Sequence, residues 1–383
     1  MGSSIPGRTQ WVDHLRSFIT LLVIAHHAAL AYTSFSVFNK DAYILSTHPV
    51  VDVHRWSVLD IFAGYNDSFF MPLMFLISGM FTLPSLQRKG PSLFIAERCR
   101  RLFIPFLIAV TLFMCIAYYP AWLLSGKPGS IRDYLIDFFT VEAWPVGPPW
   151  FIWVLFLFNV IAAWFFPVLM PLLTKTGRVV LTRPFTAVLF FFILTILLYV
   201  PAAMLFGGHT WTGIGPFDFQ KSRMLLYFGY FLMGAVIGPA GAAQGLFTHE
   251  SPLVKAWPFW VAGSIGAYLL QINTSGVWLH PVTFALTTAV TNIAALTVFK
   301  TFPGGPSRIW QSLSASAYGM YLVHYVFVVW CQYGLLDIDL PAGVKFLIVF
   351  IFSTLTSWLA AGAFTKKGPP AGYNTKAPAS AGA

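Results

Sequence analysis

WVDHLRSFITLLVIAHHAALAY, residues 11–32, is apolar from Phe18 to Ala25, accepts two histidines and continues apolar to Tyr32. About 20 apolar residues make one membrane crossing as an α-helix. The stretch therefore reads as a span, 15–35, that also carries ionisable groups. Nine further runs of similar character follow, at 61–83, 102–124, 149–171, 186–206, 223–243, 257–274, 282–302, 312–334 and 343–364. The weakest is 257–274, which contains Pro258, several glycines and Gln271. Composition agrees, since 57% of the 383 residues are hydrophobic and 9% charged, whereas a soluble domain carries about 25% charged residues. Barrel strands would alternate apolar and polar residues over segments of about 10, and these runs are continuous. The expectation is an all-α, polytopic integral membrane protein with about ten transmembrane helices and no soluble domain.

The net charge of +10 is a matter of sidedness. With the N-terminus inside, sixteen of the 23 Lys and Arg residues fall on the inner side and ten of the 13 acids on the outer side. That is the positive-inside pattern of a multi-pass membrane protein. It predicts cytosolic termini and contact with inner-leaflet lipids, and it gives nucleic acid no support as a partner. Residues 1–14 then form a cytosolic lead and 15–364 the membrane domain. Residues 365–383, TKKGPPAGYNTKAPASAGA, have the composition of a disordered cytosolic tail. Cys99, Cys115 and Cys331 have neither disulfide nor metal-ligand spacing, so no metal is expected.

Ionisable groups within a span are expensive and point to function. Arg16 and His27 lie 11 residues apart. At 100° and 1.5 Å per residue, they share a helix face to within roughly 20° and are separated by ~16 Å. His26 points about 80° away from that line. Asp13 can pair with Arg16 at i, i+3. One stripe thus joins a cation at the cytosolic boundary to an imidazole near mid-membrane. Arg binds phosphate or carboxylate through paired hydrogen bonds, and neutral imidazole is a general base near pH 7. A phosphorylated donor entering from the cytosol would suit the pair. The structural alternative is that Arg16 snorkels to headgroups while the histidines bond neighbouring helices.

Four other segments invite the same question. NDSFFMPLMFLISGMF, 66–81, has Asn66 and Asp67 at its outer end, a kink-prone Pro72 and the small pair Ser78-Gly79. ERCRRLFIPF, 97–106, places Arg98 and Arg101 on one face at the inner side, as topology signals or as a phosphate clamp. GPPWFIWVLF, 147–156, starts with a rigid Pro148-Pro149, and its Trp150 and Trp153 suit an interfacial belt. SASAYGMYLVHYVFVVW, 314–330, carries Tyr321 and His324 on one face, and His324 needs a hydrogen-bond partner there.

In this order the segments resemble the acyltransferase family 3 of membrane proteins. Arg16-(ten residues)-His27 matches the family's Arg-x10-His motif. FFMPLMFLISGMF, RCRRLFIPF, GPPWFIWVLF and SASAYGMYLVH match further motifs. The resemblance implies an O-acyltransferase that takes an acyl group from cytosolic acyl-CoA, a donor substrate with no bound cofactor. The acceptor would be a hydroxyl of an extracytoplasmic carbohydrate. In the family's periplasmic-glucan branch the group is suggested to be succinyl, and acetyl is the other candidate. Carried over, Arg16 and His27 are the catalytic pair. Arg98, Arg101, Ser78, Tyr321, His324 and Trp150 are substrate-binding positions, and 15–364 becomes the acyltransferase domain. A succinyl carboxylate would need a cation, for which Arg55, Arg132 and Arg223 are candidates. The competing class is a transporter that moves an acyl, sugar or lipid substrate without transferring it.

Overall fold

The computed structural model describes residues 10–127, 129–140, 144–180, 183–241, 246–304 and 307–365. Residues 1–9 of the lead and 366–383 of the tail lie outside the described residues. The helices are α1 (Gln10–Leu30), α2 (Ser57–Met80), α3 (Thr82–Lys89), α4 (Pro91–Leu124), α5 (Ile131–Thr140), α6 (Trp150–Trp164), α7 (Phe166–Val180), α8 (Pro184–Phe206), α9 (Met224–Gly241), α10 (Pro252–Lys255), α11 (Trp257–Ile272), α12 (Leu279–Thr301), α13 (Arg308–Gly334) and α14 (Ala342–Thr365). Between α8 and α9, β1 (Trp211–Thr212) and β2 (Phe219–Gln220) form a small antiparallel hairpin.

Among the described residues, six helical segments are long and apolar enough to cross a membrane. The count is up to seven if α6 and α7, bent by 94° at one break, are taken as a single span. The expected count of ten is therefore not reached, for physical reasons. The weak run 257–274 forms a helix of only 16 residues, short of the ~20 needed. The run 149–171 is broken rather than straight. The first helix is 21 residues long but spends part of that length on Asp13, His14, Arg16, His26 and His27.

Proline and glycine punctuate the chain as their chemistry requires. Pro91, Pro184 and Pro252 sit in first helical turns, where a missing N–H costs nothing. Gly90, at φ 73°, ends α3 and gives its N–H to the Leu86 carbonyl at 2.8 Å. Pro72 lies inside α2, which continues as one helix to Met80.

Two helix pairings frame the interior. Helices α1 and α13 run parallel: Arg16 meets Ser314, His27 meets His324, and Ala28 meets Gln332. Helices α2 and α9 approach so closely that only glycine fits. A Cβ on Gly79 would stand 1.9 Å from the Phe231 carbonyl oxygen, and one on Gly234 would stand 1.9 Å from that of Leu76. A Cβ on Gly238 would be 2.1 Å from the Met80 oxygen. The Gly234-x-x-x-Gly238 spacing is the small-residue stripe of membrane helix packing. Beside it, Phe75 packs on Phe151, Phe158 and Tyr227 at ring-centroid distances of 4.7–5.2 Å.

Candidate active site

The α1–α13 seam holds the two histidines. His27 Nδ1 is 2.8 Å from the Val23 carbonyl oxygen, one turn back in its own helix. His324 Nδ1 is 2.7 Å from the Tyr321 carbonyl oxygen. A carbonyl only accepts, so each ring carries its proton on Nδ1. His324 Nε2 is then an acceptor, 3.3 Å from His27 Nδ1. In a neutral His27 the remaining lone pair is on Nε2. This tautomer follows from the bonding pattern. Gln332 fixes the backbone alongside, giving its amide N–H to the carbonyls of His27 and Ala28 at 3.1 and 3.2 Å. The Gln332 oxygen lies 2.7 Å from His48 Nε2. Burial in this loop pushes the His48 pKa down to about 4.

His26 and His27 line a cavity of about 410 Å³. Its walls include Asp67, Tyr118, Trp144, Trp150, Trp211, Asp218, Gln220, Tyr321 and Tyr325. The loops around Leu45–Thr47 and Trp144–Pro148 close one side. Burial raises the Asp218 carboxyl above its ordinary range. Toward the other end of α1, a second cavity of about 480 Å³ is lined by Arg16, Ser78, Arg98, Arg101, Asn159, Ser314 and Tyr318, with apolar Met74, Ile77 and Phe151. Tyr321 lines both cavities. Its hydroxyl donates to the Pro148 carbonyl, so the segment 147–150 is tied to α13 at the boundary between them.

The sequence-derived residues divide between these spaces. His27 and Trp150 face the first cavity, Arg16, Ser78, Arg98 and Arg101 the second, and Tyr321 both. His324 is fully buried behind His27. Arg16 pairs with Asp13 at 3.2 Å, as the spacing predicts, and reaches Ser314 at 3.3 Å. Arg98 lies over the Phe94 ring at 4.8 Å. In that region α4 contains two five-residue π-helical turns, Cys99–Phe103 and Ala109–Phe113, a departure that often accompanies functional sites.

Several expectations are corrected. Trp150 and Trp153, read as suiting an interfacial belt, both make contacts within the protein. Trp150 is 9% exposed and packs edge-on to Trp211, and Trp153 gives its indole N–H to the Asp218 carbonyl. Asn66 and Asp67 are not an end cap, because α2 begins nine residues before Asn66, at Ser57. Asp67 instead holds Arg223 in a two-pronged bond at 2.9 and 2.7 Å, with Arg223 1% exposed. The Ser78-Gly79 pair serves both purposes, Gly79 for helix approach and Ser78 on a cavity wall. Sequence spacing could not reveal that Asp67 and Asp218 share a cavity with His27, or that His48, Tyr325 and Gln332 lie near it, since these juxtapositions are made across the fold. The unpartnered, buried His26 Nδ1 was equally hidden.

The α1–α13 seam presents His27 to one cavity and Arg16 to the other, a base and an anion-binding cation of the kind that group transfer uses. The model of an acyltransferase domain family, acyltransferase 3, matches residues 9–362, and the chain belongs to that family. The chain is also similar to "Glucans biosynthesis protein C" of Escherichia coli O1:K1 / APEC, at 24% identity over 338 residues. The match covers 83% of this chain and 81% of that protein. The proteins of the same name from Shigella dysenteriae serotype 1 (strain Sd197) and Escherichia coli O157:H7 are similar to the same extent. No solved structure matches the chain. The protein is thus a membrane acyltransferase of this family.

Proposed function

We propose that the protein is an O-acyltransferase of the bacterial cytoplasmic membrane. It moves an acyl group from cytosolic acyl-CoA to a hydroxyl of an extracytoplasmic carbohydrate. The observation that carries this reading is the pair of cavities meeting at Tyr321, one holding three arginines and the other His27. The CoA phosphates are anionic, and guanidinium groups bind them through paired hydrogen bonds. Arg16, Arg98 and Arg101 would hold the donor while its thioester points past Met74 and Phe151 toward Tyr321. The His27 cavity mixes aromatic walls, Trp144, Trp150 and Trp211, with acceptors, Asp67, Asp218 and Gln220. Rings of that kind cover the apolar C–H face of a sugar, and carboxylates and amides take its hydroxyl protons.

In the proposed step His27 Nε2 takes the proton of the acceptor hydroxyl. The resulting oxygen attacks the thioester carbonyl, the C–S bond breaks and CoA leaves as thiolate, to which the His27 proton can return. His27 Nδ1–H, held by Val23, keeps Nε2 as the basic nitrogen throughout. An acyl-imidazole at the same nitrogen would be the covalent variant.

The test is reconstitution in vesicles with radiolabelled acyl-CoA and a mixture of neutral oligosaccharides, followed by mass spectrometry of the glycans. Wild type should form acyl esters, and His27→Ala should lose at least about 100-fold of that activity, the usual contribution of a general base. Arg16→Ala should raise the donor KM. Undiminished ester formation in both variants, or substrate movement with no ester formed, would defeat the proposal, and the latter would favour a carrier.

A further inference from the structure

The charge lining the His27 cavity bears on which acyl group can occupy it. Its acidic walls are Asp67, whose carboxylate is already paired with the Arg223 guanidinium, and Asp218, and among the described residues no lysine or arginine lines it. The candidate cations are committed elsewhere. The Arg223 guanidinium is held by both oxygens of Asp67 and lies outside the lining. Arg55 gives its Nη1 protons to the carbonyls of Thr33 and Ser36, and Arg132 is exposed on α5, also outside the lining. The walls leading from the arginine-lined cavity toward Tyr321 are Met74, Ile77, Phe151 and Ile152. A succinyl group has a second carboxylate two methylenes beyond the reacting carbonyl. With that carbonyl at His27, the carboxylate would lie among aromatic rings with no uncommitted cation in the lining. A buried carboxylate without a cation is among the costliest groups to desolvate.

Resting on the acyltransferase reading above, we infer that this chamber takes an uncharged acyl group, acetyl or a short aliphatic chain, and rejects a dicarboxylic one such as succinyl. A pentanoyl group is the neutral control, since it is of similar length to succinyl with a methyl-terminated end. The difference between the two therefore isolates the charge.

The experiment uses the full chain in lipid nanodiscs with a mixed oligosaccharide acceptor. Acetyl-CoA, pentanoyl-CoA and succinyl-CoA are compared one at a time by release of the CoA thiol, with His27→Ala as the blank. The expected result is release from acetyl- and pentanoyl-CoA that disappears in the blank, with kcat/KM for succinyl-CoA at least tenfold below that for pentanoyl-CoA. A succinyl value within tenfold of pentanoyl would overturn the inference and leave the acyltransferase reading intact. If no donor gives release that depends on His27, the acyltransferase reading falls, and this inference with it.

Discussion

His324 has one acceptor nitrogen, and it faces the proton on His27 Nδ1 at 3.3 Å. It touches His27 rather than the cavity, so it is a positioning residue. Removing it leaves the Val23 carbonyl as the one acceptor for that proton and loosens the orientation of the His27 ring. His324→Phe keeps the volume and removes the acceptor. It should lower kcat by roughly 10- to 100-fold, in keeping with loss of an orienting hydrogen bond, with donor KM unchanged. Steady-state kinetics with acyl-CoA varied would check it, and an effect confined to KM would contradict the positioning role. A second residue-scale prediction concerns pH. His48 is 1% exposed, and its pKa is depressed to about 4 in the fold, from an ordinary 6.5. The folded state thus binds this proton less readily than the unfolded chain. The contribution is present above pH 6.5, fades as pH falls through the window toward 4, and amounts to roughly 3 kcal/mol. The midpoint of thermal unfolding should drop between pH 7.5 and 5, and His48→Gln should drop less. Equal losses in the two proteins would remove His48 as the cause. The sequence made part of this site legible. Arg16 and His27 lie in one helix, where spacing fixes orientation, and the structure puts each on a cavity wall. His324 could be singled out as needing a partner, but its partner is 297 positions away and follows only from the parallel seam.

The elements were legible where one run of apolar residues makes one helix, as in α2, α8, α12, α13 and α14. They were less so where length and break compete. Hydropathy cannot register the 94° bend between α6 and α7, because both arms are apolar. It overcounts α11, whose 16 residues satisfy the composition but not the length. The glycines of α9 carry a different kind of information, one of distance. Helices α2 and α9 are separated by the thickness of backbone alone at Gly79, Gly234 and Gly238. Gly234→Ala forces its methyl onto the Leu76 carbonyl oxygen, beside Phe75, which packs across the same helix pair on Tyr227. Overpacking of this kind costs typically 1–3 kcal/mol. The variant should unfold at a lower temperature in detergent by a fluorescence melt. Gly266→Ala is the control, since nothing stands within 4 Å of a Cβ there. Equal melting of the two variants would mean that the close approach contributes no stability.

At the scale of the molecule, everything proposed here depends on the two cavities facing opposite sides of the membrane. The charge asymmetry argues that the arginine-lined cavity is cytosolic, since sixteen of the 23 basic residues fall on that side of the bundle in the ten-span reading. That count assumed more crossings than the six or seven segments that are long and apolar enough. The geometry supplies an argument that needs no count. Helices α1 and α13 are parallel, and α2 runs against them. Arg16, Ser78 and Ser314 therefore gather at one end, and His27, Asp67 and the loop residue Thr47 at the other. Two single cysteines, placed after Cys99, Cys115 and Cys331 are replaced by serine or alanine, can read this directly. Thr47→Cys, on the His27 cavity, should react with a membrane-impermeant maleimide added outside spheroplasts. Ser314→Cys, on the arginine cavity, should react only after the membrane is opened. The reverse pattern would put the arginines outside, where no CoA pool exists. Reaction of both from outside would mean a continuous channel past Tyr321. In that case Tyr321→Phe, which removes the bond to Pro148, should leave labelling at position 314 unchanged. If instead the Tyr321 ring forms the partition where the two cavities meet, the same substitution keeps the ring and should leave Ser314→Cys excluded from outside, and labelling from outside would show that the bond to Pro148 holds the partition closed.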